Sequence, residues 1–600
     1  MDRLPARYEA EDGVWSDTAS SPETSGDGTE FNHDLVLVDE FDALSIELKG
    51  LAAGRVAVPS SGDASPAAAA AMLAAQAAPS ALRKVADPSS ELKQAPELGK
   101  YPAHDHARKV AKELGVVKGL IYLPGQVSQH YEDSDQGPTF HQRRYFYYIT
   151  GADIPNCAVT YDIARDNLIL WIPYIEPRQA LYFGSPPSPE VLKSRSHLSD
   201  VRYTTELPRY LRTYLSSAAN PHRCRGGGSP APTTIFILHR DQVPPVDYDR
   251  AAGVVVLDST RLQPSMDAAR VLKTPYEIAA IRRANAVSSA AHRALLPRLR
   301  HMTNERELEA FFRAYCLAAG GAKRQAYPVI VGSGPNAATL HYDSNDEALA
   351  GRQLVVLDAG CEWLLYASDV TRTLPITGKL TPEARSIYSI VERMQEACIA
   401  AVRPGVPYYR LHLAAAMIAV EGLLALGVLE NGTAREIFAR GTVSAFFPHG
   451  LGHHVGLDVH DVSGREALML GGGGAAAATG GRRRGGAAGK REWVTAETMG
   501  VLCRDGQTVS PPYKGRQRLA ENMVVTIEPG IYFSRQYIET LYLNHPTHSK
   551  YIDRDVLERY YPVGGVRIED DILVTKDGYE NLTTAPKGEE AFRIINGEES

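Results

Sequence analysis

The chain has 600 residues, of which 44% are hydrophobic and 22% charged. That is an ordinary soluble globular balance, with room for about four domains or fewer large ones. Lys and Arg total 64 against 71 Asp and Glu, for a formal charge of −7, which argues against nucleic acid as a generic partner. Six cysteines form no CxxC pair, which argues against a disulfide framework or structural zinc site and fits a reducing, cytoplasmic setting. No signal-peptide core opens the chain. No run reaches the roughly 18 apolar residues of a membrane helix.

Residues 1–99 read as a largely disordered extension and linker. Residues 1–34 are polar, Phe41-Asp-Ala-Leu-Ser-Ile-Glu-Leu is a possible strand, and 51–99 is a Pro/Ala/Ser tract with no patterned face. A globular pattern begins at Tyr101. His104–Leu114 has helical period, while 119–123, 145–150, 158–163, 167–173, 235–238 and 254–257 read as strands alternating with helical stretches. This predicts an α/β domain over residues 100–268.

A second domain is expected over 269–592. Pro275 opens a long helix that Pro297 stops, and Thr303 is a candidate N-cap with Glu305 and Glu307 behind it. Strands are expected at 353–357 and 366–374, then helices after Thr381-Pro-Glu and over 410–426 with Gly427 beyond the end. Further strands are expected at 524–528 and 566–574. The repeating order of helices and strands hints at two similar halves. Residues 471–491, a Gly/Ala/Arg tract, cannot bury a face and read as a flexible insertion.

The chemistry lies in carboxylates embedded in apolar runs. Asp358 ends Leu-Val-Val-Leu-Asp, Asp369 follows in Ser-Asp-Val-Thr-Arg-Thr, Glu528 ends Val-Val-Thr-Ile-Glu, and Glu569 sits in Val-Arg-Ile-Glu-Asp-Asp-Ile. A buried lone carboxylate is costly unless paired or bound to a cation. The segment 446–461 adds His449, His453, His454 and His460 among glycines. An oxygen-rich set with an imidazole or two suits Mn²⁺, Co²⁺ or Fe²⁺ rather than structural zinc. Four carboxylates match the charge of two divalent ions, and such a pair can hold a bridging hydroxide.

Together, Asp358-Ala-Gly, Ser368-Asp-Val-Thr-Arg-Thr, His449-Gly-Leu-Gly-His, Thr526-Ile-Glu-Pro-Gly and Val566-Arg-Ile-Glu-Asp resemble the motifs of the "pita-bread" metallopeptidases. The resemblance is to the branch holding fungal-type Xaa-Pro aminopeptidases (aminopeptidase P) and prolidases, and it spans roughly residues 100–590. It implies an α/β N-terminal domain and an α+β catalytic domain with a pseudo-two-fold. It also implies a homodimer and peptide substrates with proline in second position.

By motif, the resemblance implies two Mn²⁺ ions per subunit, with Co²⁺ or Zn²⁺ as substitutes. The implied ligands are Asp358, Asp369, His453, Glu528 and Glu569, with Asp369 and Glu569 bridging. It further implies His341, His449 and His460 as accessory histidines, Arg567 beside the last ligand, and Glu528 as proton shuttle. Two alternatives stand beside the aminopeptidase. A prolidase would hold a prolyl carboxylate with an arginine in the segment before Glu528, where Lys514, Arg516 or Arg518 either serves as that cation or is merely solvated. A non-catalytic pseudo-peptidase would keep the fold but lose ligands, and all five are present.

Overall fold

The computed structural model describes Leu92 and residues 98–218, 232–246, 254–469, 494–499 and 516–598. The expectations for 1–34, 41–48, most of 51–99 and 471–491 fall outside these residues.

The N-terminal layer is built from α1 (Ala103–Leu114), β1 (Leu120–Pro124), α2 (Arg144–Thr150), β2 (Ala158–Asp162), β3 (Asn167–Ile172), β4 (Asp200–Tyr203), α3 (Leu207–Ala218), β5 (Thr233–Phe236), β6 (Val255–Asp258) and α4 (Leu262–Val271). Its six strands run in the order β4-β3-β2-β1-β5-β6. The β1-β2-β3 meander is antiparallel, and the strands flanking it join in parallel.

Residues 145–150 belong to helix α2, not to the strand their β-branched and aromatic run suggests. Phe146 through Thr150 are all buried, so no polar face betrays the helical period, and a short apolar run does not distinguish the two. Gly151 ends it with φ 67°, and a Cβ there would lie 2.5 Å from the Tyr101 ring.

The C-terminal layer opens with α5 (Pro275–Leu295) and α6 (Glu305–Ala318). Thr274 and Glu277 form a reciprocal capping box on α5. The cap of α6 is Asn304, one residue after the expected Thr303, whose hydroxyl goes instead to Glu307.

Then follow β7 (Arg324–Gln325), β8 (Ile330–Ser333), β9 (Leu354–Asp358), β10 (Cys361–Trp363), β11 (Tyr366–Ala367), β12 (Thr371–Pro375), α7 (Pro382–Ala400) and α8 (Tyr408–Ala425). The last elements are β13 (Val524–Ile527), β14 (Gly530–Tyr532), β15 (Gly565–Arg567), β16 (Asp570–Val574), β17 (Tyr579–Asn581) and α9 (Gly588–Asn596). The sheets are small: β12-β9-β8, β13-β16-β17, β11-β10-β7 and β14-β15.

Two expected strands, 366–374 and 566–574, are each broken in the middle. The breaks fall at 368–370 and at 568–569, around Asp369 and Glu569. One interior joins α5 to α9 with Val355, Leu357, Val525 and Ile527. Leu92 packs into the same core, with its carbonyl accepting from Arg283, so the 51–99 tract is not without a buried residue.

Candidate metal centre

Each acidic residue sits where a strand stops. Asp358 ends β9 and is the register partner of Thr371, the first residue of β12. Thr371 in turn bridges to Glu569, which ties two sheets together at the site. In the first break, the Asp369 N–H leaves the ladder and donates to Asp571 Oδ2 (2.9 Å). Asn285 Nδ2 of α5 donates to that oxygen as well (2.7 Å). Three consecutive acids therefore point three ways. Glu569 enters the site, Asp570 is held by Arg372 and Lys587, and Asp571 supports Asp369.

The five expected ligands converge. Ligand atoms of Asp358, Asp369 and Glu569 lie within 4.8 Å of one another, as do those of His453, Glu528 and Glu569, and those of Asp369, His453 and His460. His453 Nε2 is 3.4 Å from Asp369 Oδ2 and 3.3 Å from Glu528 Oε1. Its Nδ1 donates to the His454 carbonyl (3.1 Å), which leaves Nε2 as the nitrogen facing the acids.

The choice between the adjacent histidines follows from extended backbone. The Thr526 N–H donates to the His453 carbonyl, and that of Val455 to the Val524 carbonyl. Residues 453–455 thus run along β13 and alternate sides are presented. His454 turns away, buried, and donates through Nε2 to Gln517 Oε1 (2.6 Å).

Asp358 accepts from Tyr327 Oη (2.7 Å) and from Arg567 Nη2 (2.6 Å). Burial nevertheless pushes its carboxyl up to about 6, against the pull of Arg567. Glu569 accepts from Thr371 Oγ1 (2.6 Å) through Oε2. Its Oε1 is buried without a hydrogen-bond partner among the described residues. Burial and three neighbouring carboxylates hold Glu569 well above the usual carboxylate range. Burial would raise Glu528 too, but the His453 hydrogen bond and charge bring it down to about 2. Burial would lower His453, but the two facing acids hold it well above the usual imidazole value.

These residues fit a divalent cation. With His453 neutral, as an imidazole ligand must be, four carboxylates less one guanidinium leave three negative charges, more than one such ion cancels. The donors are oxygens with one imidazole nitrogen, the set that suits Mn²⁺ and its neighbours. Other buried oxygens lack a partner too, Asp571 Oδ1 and Glu362 Oε2 among them; Glu569 differs in belonging to two groups of possible metal ligands, and its Oε1 acquires a partner if it is a ligand.

The accessory residues lie around this set. The His460 ring stands 4.1 Å from the His453 ring. His460 is exposed, and the charge on His453, with partial desolvation, lowers it to about 4. His449 donates through Nδ1 to the Gly450 carbonyl (2.7 Å) and meets Tyr532 Oη through Nε2 (2.9 Å). Tyr532 Oη accepts from Arg567 Nη1 (3.0 Å). Burial holds His449 at about 4. His341 is exposed, close enough to disfavour protonation of both His449 and His460.

Sequence reasoning missed Tyr327, Tyr532, Thr371 and Asn285. Only Tyr532 carried a signal, as the aromatic four residues after Glu528. Of the basic residues before Glu528, Arg518 donates to the Gly405 carbonyl (2.8 Å) and Arg516 lies 4.8 Å over the Tyr409 ring. Lys514 is outside the described residues.

The sequence profile of metallopeptidase family M24 matches residues 279–576, and that of the aminopeptidase P N-terminal domain matches residues 104–222. A Colletotrichum graminicola protein named "Probable Xaa-Pro aminopeptidase" is 50% identical over 95% of this chain and 99% of its own length. A Sordaria macrospora protein, "Probable Xaa-Pro aminopeptidase PEPP", is 50% identical over 94% of this chain and 97% of its own. Among solved structures, Escherichia coli aminopeptidase P with the inhibitor Pro-Leu superposes with a TM-score of 0.62 at 24% identity, covering 83% of this chain and 99% of that one. That likeness establishes the fold, an α/β N-terminal domain followed by a pita-bread catalytic domain. With full-length relatives at half identity and both family profiles matched, the chain belongs to metallopeptidase family M24, among its Xaa-Pro aminopeptidases.

Proposed function

We propose that this enzyme releases an N-terminal residue that precedes proline, using two manganese ions held by Asp358, Asp369, His453, Glu528 and Glu569. The observation that carries this reading is the cluster of four carboxylates with one guanidinium for charge partner and one orphaned oxygen at its centre. When bound, divalent cations there supply an activated water and a Lewis-acid contact for the scissile carbonyl.

The chain's own residues do the rest. The bond before proline is a tertiary amide, so no N–H helps to orient it, and its nitrogen must gain a proton to leave. Glu528 Oε1, bonded by Thr526 Oγ1 (3.2 Å), would take a proton from the attacking water and pass it to the prolyl nitrogen, so that the amine leaves neutral. His460 borders the acids, His341 lies near His460, and the two hydrogen-bond the substrate oxygen as charge develops on it. Arg567 locks Asp358 and, through Tyr532, the orientation of His449. The free amine of the substrate sits against the acidic wall.

Two features favour the aminopeptidase over the strict dipeptidase. The relatives carry aminopeptidase names, and Arg518 is committed to a backbone carbonyl. The four described cysteines, Cys157, Cys316, Cys361 and Cys398, are free and buried, which supports a reducing cytoplasmic setting. No helix among the described residues is long and apolar enough to cross a membrane. The homodimer belongs to the same reading, and sedimentation analysis tests it.

Kinetics on Xaa-Pro dipeptides beside Xaa-Pro-Xaa tripeptides test the substrate class. Higher kcat/KM on tripeptides is expected, and turnover confined to dipeptides would replace the reading with a prolidase.

A further inference from the structure

His460 stands between two carboxylates of its own loop, Asp458 and Asp461, and both are gripped from outside that loop. Arg270, near the end of α4, donates through Nη2 to Asp458 Oδ2 (2.8 Å) and to Asp461 Oδ1. Lys273 Nζ, between α4 and α5, donates to Asp461 Oδ2 (2.9 Å). Arg144, the first residue of α2, brings Nε within 3.5 Å of Asp458 Oδ1 and pairs with Glu362 through Nη2.

The side chains of Arg270, Lys273 and Asp461 are almost wholly buried, whereas that of Asp458 is 42% exposed. The loop backbone is equally constrained. The Asp461 N–H donates to the His454 carbonyl (2.8 Å), and a Cβ at Gly456 would fall 2.1 Å from Asp461 Oδ2.

A buried ion pair contributes little net stability compared with apolar packing, and its best-attested use is to fix an arrangement. What this network fixes is the loop on both sides of one histidine. The three cations all precede the catalytic sheets in the chain, and none belongs to the five-residue ligand set. We propose that Arg270, assisted by Lys273 and Arg144, is a positioning residue for the reaction. It sets where the His460 ring stands relative to His453, and so couples the N-terminal layer to turnover. The inference rests on the reading of His460 as a transition-state contact.

A double-mutant cycle separates positioning from general support. Arg270→Lys keeps the charge but loses the guanidinium nitrogen, Nη2, that reaches both acids. Asp458→Asn tests the same clamp at a half-exposed position, so it decides the matter should Arg270→Lys not fold. Each is made alone and in a His460→Ala background, with kcat, KM and bound metal measured on an Xaa-Pro-Xaa tripeptide. Either substitution alone should lower kcat about tenfold, leave KM within about twofold and leave metal content unchanged. In the His460→Ala background the same substitution should change kcat less than about twofold, because the ring it positions is gone. An equal fall in both backgrounds, loss of metal, or unchanged kcat from both single variants would overturn the proposal. If His460→Ala alone kept full turnover, the assignment of His460 would fail first and this inference with it.

Discussion

The segment from His453 to Asp461 takes part in two clusters of charge, and they are balanced differently. Around Asp461, the cations Arg144, Arg270 and Lys273 meet the anions Glu362, Asp458 and Asp461 in ion pairs. Around Glu569, the acids Asp358, Asp369, Glu528 and Glu569 have Arg567 as their ion-paired guanidinium. The consequence shows at Asp461 and Asp358: burial would raise Asp461, but Arg270 and Lys273 bring it down to about 2, whereas Asp358 is pushed up to about 6. Glu362 and Glu528 depart from that contrast, the first raised by burial to about 7 and the second brought down to about 2 by His453. A cluster that closes its own charge is a clamp, and one left several charges short calls for cations.

The largest expected effect comes from the acid at the centre of the deficit. Glu569→Gln replaces the acid common to two groups of possible ligands and, on the two-ion reading proposed above, should lower turnover by at least about a thousandfold with loss of bound metal. Elemental analysis beside steady-state rates checks both. Next comes the pair of adjacent histidines. His453→Ala should strip metal and most activity. His454→Ala should keep the metal, because that ring faces Gln517. Metal retained by the first variant and lost from the second would reverse the register of the site.

The same Asp→Asn change in each cluster sharpens the contrast through pH. In metal-free protein, Asp358 has a folded value above the unfolded one, so its charged form costs stability as pH rises through about 6. The melting temperature of Asp358→Asn relative to the parent should therefore climb between pH 5 and about 7.5. Asp461 is the opposite case. Its contribution is fully present above its unfolded value near 3.8 and is lost only as pH falls through about 2. The deficit of Asp461→Asn should stay flat over the same window. Parallel curves for the two variants would remove the distinction between the clusters.

The smallest effect concerns the loop that carries His341. Glu305, buried at the start of α6, accepts from Ser333, Asn336, Tyr342 and the Glu347 N–H. Tyr342→Phe deletes one of those bonds, next to His341, and should cost about 1 kcal/mol in thermal or denaturant unfolding. Turnover should fall a few-fold with metal unchanged. No effect on either quantity would mean that the loop is held without it.

The sequence makes parts of this legible for physical reasons. An apolar run that stops at an acid, as at Asp358 and Glu528, announces both a buried strand and a cost that something must offset. The breaks at Asp369 and Glu569 are not legible that way. Val370 and Ile568 beside them are ordinary strand residues, and at Asp369 only the partner of its N–H, Asp571, which is 202 positions away, explains why the ladder stops. Helix α2 hides behind residues buried on every side. The clamp on His460 joins residues 191 positions apart, and Tyr327 reaches Asp358 from another strand's approach. Neither leaves a local pattern.

The central claim is that the charge deficit around Glu569 is filled by two divalent cations on which turnover depends. Its most direct test measures metal per chain beside activity through chelation and then titration with Mn²⁺. Turnover should vanish as the metal leaves and should return in full only as binding approaches two ions per chain. Full turnover after verified removal of metal would contradict the account.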